Sequence, residues 1–186
     1  MNAWSRNDDD IIERVQQGDK EAFSVLVRQY MKPAYFSALA IVGSHDDALD
    51  LSQQAFIRAW KAIGSFELGR AFYTWYYRIL RNLCLNFVRD RSVRAQPFSR
   101  YPEVLEHGSS EDNPLEATER AMLRERVRLA MGKLRSEERE IILLREFDGY
   151  SYDEIASLLE CPVGTVMSRL YYARKHLKTL LEDEHD

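Results

Sequence analysis

The sequence predicts an all-α protein in which a flexible acidic linker joins two small helical domains. Three observations favour this fold class. Of the 186 residues, 45% are hydrophobic and 30% are charged, with 8 glycines and 5 prolines, a composition typical of helical proteins. Apolar residues recur at the three- and four-residue spacing of amphipathic helices. Prolines, serines and acidic residues concentrate between residues 96 and 118, as in an extended linker.

The N-terminal domain, expected to cover residues 1–94, begins with two amphipathic helices. Asp19 is the predicted N-cap of the first, whose apolar side comprises Phe23, Leu26, Val27 and Tyr30. Ser44 and Asp47 are the predicted capping pair of the second, and its buried stripe comprises Ala48, Ser52, Ala55, Phe56, Ala59, Trp60 and Ile63. Acidic residues at its start suit the helix dipole, so no metal site is predicted.

The third helix of this domain mixes aromatic and cationic side chains. Its predicted core stripe comprises Trp75, Ile79, Leu83 and Phe87, and the tyrosines Tyr73, Tyr76 and Tyr77 lie among arginines. Residues 64–94 carry a net charge of +4. Aromatic rings can stack on unpaired bases while arginines hold the backbone, so single-stranded DNA binding is one interpretation. The other is that these rings form the core of a small domain.

Residues 95–114 are the predicted linker and residues 115–186 the predicted C-terminal domain. Ser151 and Glu154 form a capping box, so a helix is expected to start at Tyr152. Pro162 cannot continue that helix but suits the first turn of the next one, which places a tight turn at residues 160–162. Two short helices with a sharp turn between them predict a helix-turn-helix motif.

The second helix of this motif has two different faces. Its apolar stripe is Val163, Val166, Leu170, Ala173 and Leu177. The opposite side carries Thr165, Ser168, Tyr172 and Lys175, flanked by Arg169 and followed by Arg174 and Lys178. In DNA-binding proteins such a helix enters the major groove, with its first turns at base edges and its later cations at phosphates. The alternative is the ordinary solvated face of a helical hairpin.

The remaining features exclude several classes of protein. No apolar run reaches the length of a membrane span, and the N-terminus lacks the order of a signal peptide, so we expect a cytoplasmic chain without membrane insertion. Cys84 and Cys161 are expected to be free thiols. The histidines are scattered, and no phosphate-binding loop or activated nucleophile is recognisable. We therefore predict no enzyme activity and no cofactor.

Three segments in order resemble bacterial RNA polymerase sigma factors of the extracytoplasmic-function type. They are "DLSQQAFIRAW" (50–60), "YRILRNLCLNFVRDR" (77–91) and "LREFDGYSYDEIASLLECPVGTVMSRLYYARKHL" (144–177). The resemblance covers residues 9–181, with the linker similar only in character. It implies a sigma factor that binds core RNA polymerase and directs promoter recognition and transcription initiation. An anti-sigma factor is the regulatory partner that it implies.

The resemblance also implies roles for individual residues. The upstream promoter element would be bound by Thr165, Ser168, Arg169, Tyr172, Arg174 and Lys175. The downstream element would be recognised and melted by Phe66, Tyr73, Trp75, Arg78, Asn82 and Asn86, with Trp75 partly in the core. Core polymerase would dock on Asp50, Gln53, Gln54 and Phe56.

Three positions depart from the family pattern. Gln54 replaces an acid, Asn86 stands where aspartate is frequent, and Met167 stands where lysine is frequent. A neutral hydrogen bond at Gln54 would be weaker than a charge-assisted one. The rival interpretation is a two-domain regulator whose N-terminal half senses a ligand. It predicts a ligand pocket and no affinity for core polymerase.

Overall fold

The computed structural model describes residues 8–92 and 114–182, and within these ranges the chain has eight α-helices and no strand. The N-terminal half contains α1 (Asp9–Gln16), α2 (Lys20–Val42), α3 (His45–Ala62) and α4 (Phe72–Ser92). The C-terminal half contains α5 (Pro114–Lys133), α6 (Ser136–Ile142), α7 (Tyr152–Leu159) and α8 (Val163–Glu182). A 3-10 turn (Ile63–Ser65) follows α3, and a π-helical turn (Leu143–Phe147) follows α6. The predicted all-α fold class is confirmed.

The N-terminal domain is a bundle of α1 to α4 with an aromatic core. Phe56 of α3 stacks on Tyr76 of α4, with their ring centroids 4.3 Å apart. Tyr73 stacks on Tyr30 of α2 at 5.4 Å. The rings contribute large buried areas together with about 0.5–1.5 kcal/mol for each favourable ring pair. Aromatic side chains therefore hold α2, α3 and α4 in register.

Helix ends follow the predicted caps in part. Asp19 accepts hydrogen bonds from the backbone amides of Glu21 and Ala22 at the start of α2, as predicted. Gly43 ends that helix with φ +69°, a left-handed conformation that glycine adopts without strain. Ser44 is the N-cap of α3 as predicted, but its side chain makes no capping hydrogen bond, so the serine half of the predicted capping pair is wrong.

The buried face of α4 differs from the prediction. Trp75, Ile79 and Phe87 are only half-buried. The fully buried residues are Phe72, Tyr73, Tyr76, Tyr77, Leu80 and Cys84. The helix packs against α2 and α3 on one side and contacts α6 and α7 on another. Residues outside the single predicted stripe are therefore buried as well.

The helix-turn-helix of the C-terminal domain forms as the sequence predicts. Ser151 accepts a hydrogen bond from the Glu154 amide, and the Glu154 carboxylate accepts one from the Ser151 amide. α7 ends at Leu159, and Glu160 takes the left-handed conformation with φ +53°. α8 begins immediately after Pro162. Its buried residues Val166, Leu170 and Ala173 belong to the predicted stripe.

The two halves of the described chain share one hydrophobic core. α6 packs against α2, and α7 contacts α4. This packing was not predicted, because the apolar periodicity of a helix shows which side is buried but not which distant helix covers it. The linker predicted at residues 95–114 lies outside the described residues apart from Pro114, so its extended character and the exact domain boundaries stay predictions.

Candidate functional site

The outer face of α8 presents the predicted upstream-element residues to solvent. Ser168, Arg169, Tyr172 and Lys175 are exposed, and Tyr172 keeps 62% of its surface accessible. Thr165, in the first turn, is half-buried. The Ser168 hydroxyl donates to the Thr165 carbonyl at 3.0 Å, which leaves its own oxygen able to accept. The arrangement combines hydrogen-bonding groups in the first turns of a helix with cations in the later ones.

Arg174 is exposed on the same helix and forms an ion pair. Its guanidinium donates from Nε to the Glu146 carboxylate at 2.9 Å. That hydrogen bond raises the pKa of Arg174. A phosphate approaching Arg174 would have to compete with Glu146, and an exposed pair of this kind is weak enough for such exchange.

Two exposed apolar side chains adjoin this face, and neither was predicted as a site residue from the sequence. Met167 and Tyr171 are more than half exposed. Together with Tyr152 and Lys175 they line an open groove of about 600 Å³. Their exposure could have been predicted from the sequence, because both residues flank the buried stripe of α8 and neither belongs to it.

The predicted downstream-element residues do not form one exposed surface. Asn82 and Asn86 are exposed on α4, and Trp75 is half-buried. Phe66 is buried, with its ring packed edge-on against Trp75 at 5.4 Å. Tyr73 has 0% of its surface accessible. All of the set except Phe66 lies on α4, but only part of it faces solvent.

Tyr73 requires a correction, because the described arrangement leaves no part of its ring for a base. Its hydroxyl shares a hydrogen bond of 3.0 Å with the Ser37 hydroxyl, and burial raises the pKa of the phenol. The rings of Tyr76 and Tyr77 are equally buried. Core packing therefore accounts for all three tyrosines here, as in the second interpretation of the sequence.

Arg78, another predicted downstream-element residue, contacts the C-terminal domain. Its Nη2 atom donates to the Ser157 carbonyl at 3.2 Å and to the Ser157 hydroxyl at 3.1 Å. Its Nε atom is buried without a hydrogen-bond partner. The guanidinium is thus held by α7 and incompletely satisfied.

The outer face of α3 carries three of the four predicted polymerase-docking residues. Asp50, Gln53 and Gln54 are exposed. Phe56 requires a correction, because it is 4% exposed and packs between Phe23 and Tyr76. Its position belongs to the buried stripe that periodicity predicts, so it lies beneath the face that carries Asp50, Gln53 and Gln54.

No cluster of metal-ligating side chains is found among residues 8–92 and 114–182. Within that part of the chain, no group of three or more histidine, cysteine or acidic side chains could hold a metal ion. Both cysteines are free, and burial raises the pKa of the Cys84 thiol to about 12, so this thiol is unreactive at neutral pH. Within those two ranges of residues, none of the α-helices has the length and apolar character that a membrane span needs.

Comparison with known proteins assigns both domains. Residues 26–94 match the family model for Sigma-70 region 2, and residues 124–177 match that for Sigma-70 region 4. The RNA polymerase sigma-H factor of Pseudomonas aeruginosa is 38% identical over 181 residues, which cover 94% of each chain. The ECF RNA polymerase sigma-E factor of Escherichia coli is 38% identical over 173 residues, which cover 89% of each.

Solved structures agree with this assignment. The sigma factor RpoE of Bartonella quintana, in complex with the anti-sigma factor NepR, has a TM-score of 0.68 at 26% identity, covering 86% of this chain and 96% of that one. CnrH, in complex with the cytosolic domain of CnrY, has a TM-score of 0.66 at 25% identity, covering 96% and 99%. The chain therefore belongs to the bacterial RNA polymerase sigma factors of the extracytoplasmic-function type, which direct promoter recognition and transcription initiation.

Proposed function

We propose that this sigma factor binds the upstream element, the downstream element and core RNA polymerase through three separate faces. The outer face of α8 reads the upstream (minus-thirty-five) element, α4 with the preceding loop binds the downstream (minus-ten) element, and the outer face of α3 docks on core RNA polymerase. The observation that carries the proposal is the exposed polar and cationic face of α8, directly opposite a stripe buried in a helix-turn-helix.

For the upstream element, Arg169 is the central residue. It is exposed and flanks Thr165 and Ser168 in the first turns of α8, where a recognition helix meets base edges. Tyr172 extends this surface. Arg174 and Lys175 lie a turn further on, where cations contact the phosphate backbone and add affinity without sequence information.

For the downstream element, the exposed amides of Asn82 and Asn86 are the accessible hydrogen-bonding groups on α4. The half-buried ring of Trp75 lies two turns earlier on the helix, and Phe66 packs against it. Arg78 supplies a cation between these groups. This arrangement suits a single strand, since amides recognise base edges and a cation holds the backbone.

For docking, Asp50, Gln53 and Gln54 offer one carboxylate and two amides on a single helical face. Such groups pair with basic and polar side chains of a partner. Gln54 makes neutral hydrogen bonds, which are about half as strong as charge-assisted ones. We infer that Asp50 contributes the only carboxylate among these three contacts.

We extend two further properties to this chain. RpoE and CnrH were solved with the anti-sigma factor NepR and with CnrY, so an anti-sigma factor is the proposed regulator here as well. The role of the chain is regulatory and not enzymatic, and its place of action is the cytoplasm, where core polymerase meets the chromosome.

Reconstituted transcription tests the proposal. Purified chain mixed with core polymerase should give transcripts from defined start sites, whereas either component alone should not. Arg169→Ala should reduce transcription from promoters with an upstream element, and Arg124→Ala is the matched control, because Arg124 is an exposed arginine of the same domain on α5. Specific promoter binding by the chain alone, with no transcription on adding core polymerase, would instead identify an autonomous regulator.

A further inference from the structure

Two large apolar side chains of α8 lie largely in solvent. Met167 is 54% exposed and Tyr171 is 63% exposed. Since four positions separate them, they lie one turn apart on the same side of the helix. On a helical wheel this side falls between the buried Leu170 and the exposed Ser168. The two residues, which we call the apolar pair, therefore adjoin the face proposed to read the upstream element.

The surroundings of the apolar pair are cationic. The pair lines the open groove of about 600 Å³ together with Tyr152 of α7. The charged residues that line this groove are Arg174, Lys175 and Lys178, and none of the described residues lining it is acidic. Glu146 pairs with Arg174 but does not itself line the groove. A groove of this composition fits a partner that carries negative charge next to an apolar group.

The major groove of a DNA duplex offers this combination. Phosphates border the groove, and the C5 methyl group of thymine projects into it as an apolar feature of the base edge. Methionine suits such a contact, because its unbranched thioether side chain adapts to the shape of its partner. The Tyr171 ring meets the Tyr172 ring edge-on at 5.3 Å, so the apolar pair is continuous with the reading face. This continuity favours duplex DNA over a protein as the occupant.

We propose that Met167 and Tyr171 form a subsite for the methyl group of one thymine in the upstream element and thereby set part of the promoter preference of this chain. The proposal rests on the proposed role of α8 in reading that element. Lysine, the residue frequent at position 167 in the family pattern, would instead donate a hydrogen bond to O6 or N7 of guanine. Methionine makes no such bond, so Met167 replaces a preference for guanine by a preference for thymine.

Replacement of thymine by uracil is a direct probe of this subsite, because it removes only the methyl group and leaves base pairing unchanged. Holoenzyme, the chain bound to core polymerase, first selects promoters from a library randomised in the upstream element. Each thymine of the selected element, on either strand, is then replaced singly by deoxyuridine. Burial of one methyl-sized group changes an affinity about fourfold, so holoenzyme should bind about fourfold more weakly when one particular thymine is replaced.

Three variants test whether the apolar pair causes this methyl effect. Met167→Ala removes most of the contact surface, so the thymine and uracil promoters should bind almost equally. Met167→Leu keeps an apolar side chain of similar volume and should keep the difference between them. Leu123→Ala is the matched control, because Leu123 is a 56% exposed apolar residue of α5 outside the groove, and its loss should not alter the methyl effect. Circular dichroism verifies that each variant is folded.

Met167→Lys tests the base preference itself. A lysine at this position should shift the selected base from thymine towards guanine at the same base pair, since it donates to guanine O6 and N7. Its added charge raises the affinity for all sequences, so the ratio of the affinities for guanine and thymine promoters is the relevant measurement. Leu123→Lys adds the same charge on α5 and should leave this ratio unchanged.

The proposal is overturned if no uracil replacement weakens binding, or if Met167→Ala keeps the full difference between thymine and uracil promoters. Weaker retention of Met167→Ala by immobilised core polymerase, with equal binding of both promoters by the wild type, would also overturn it and identify a protein as the occupant of the groove. Arg169→Ala separates these outcomes from failure of the proposed function. If Arg169→Ala weakens promoter binding while uracil has no effect, α8 reads the element without this subsite. If neither change has an effect, the reading role of α8 is refuted together with the subsite.

Discussion

Phe56 is a core residue of α3, whereas Gln54 of the same helix is exposed on the proposed docking face. Truncating the two side chains should therefore have different effects on thermal stability and on polymerase binding. The ring is 4% exposed, stacks on Tyr76 at 4.3 Å and meets Phe23 edge-on. Replacing a buried phenylalanine by alanine costs about 3–5 kcal/mol, through lost transfer free energy and an unfilled cavity. For a chain of this size that corresponds to a fall in Tm of about 6–20 °C. Phe56→Ala should therefore lower the thermal stability substantially.

Gln54→Ala is the matched comparison, because Gln54 is exposed two positions earlier. An exposed substitution of this kind changes the free energy of unfolding by less than about 0.5 kcal/mol. We expect it to weaken retention by immobilised core polymerase and to leave thermal unfolding, followed by circular dichroism, unchanged. Phe56→Ala should show the opposite pattern when binding is measured well below its Tm. Normal stability with lost polymerase binding in Phe56→Ala would refute the core assignment.

Three further predictions concern the C-terminal domain. Burial opposes ionisation of Glu138, but hydrogen bonds from Arg135 and His176 outweigh it and lower the pKa of the carboxyl from 4.5 to about 2. The ionised carboxylate stabilises the folded state fully above pH 4.5, and this contribution is lost as pH falls towards 2. The free energy of unfolding of Glu138→Gln, measured with a chemical denaturant, should therefore depend less on pH in that window than that of the wild type. An unchanged dependence would contradict this. Arg169→Ala should weaken binding to upstream-element duplex by about 1–3 kcal/mol in fluorescence anisotropy, with Arg124→Ala unchanged. Lys175→Ala should weaken binding to all sequences alike and reduce the salt slope by about 1, and a loss at one sequence only would argue against a phosphate contact.

Local signals in the sequence predicted most of the helices and the recognition face. The capping box of Ser151 and Glu154 and the proline at position 162 define α7, the turn and α8 within a single short segment. The apolar stripe of α8 then determines which residues face outward. These features depend on neighbours in sequence, so periodicity and capping rules are sufficient to predict them.

Phe56 and Tyr73 show where a resemblance alone misleads. Periodicity placed Phe56 in the buried stripe, while the family resemblance placed it among the docking residues. The structure agrees with periodicity, because the stripe describes the orientation of this helix in this chain. For Tyr73 the sequence left a core role open as the second interpretation, and its stacking on Tyr30 and its hydrogen bond with Ser37 agree with that role.

Contacts between the domains could not be predicted from local patterns. Arg139 and Ala40 are 99 positions apart, and Arg81 and Glu140 are 59 apart. Arg81 lies in a segment that resembles the sigma family, but nothing in that segment indicates Glu140 as its partner, and a charged residue on a helix is usually a solvated one. Only the three-dimensional arrangement reveals that Glu140 is a buried carboxylate and Arg81 its partner.

The interface between the domains combines a shared hydrophobic core with buried charged groups. An apolar interface loses about 25 cal/mol for each Å² that is returned to water. Arg139, Glu140 and Arg81, by contrast with the apolar residues around them, regain hydration when the domains part, which offsets the hydrogen bonds that are broken. A buried ion pair of this kind adds little net stability over apolar side chains, although removing one partner alone is costly. The charged contacts therefore add little to the free energy needed to separate the domains, whereas the apolar core that the two halves share opposes their separation.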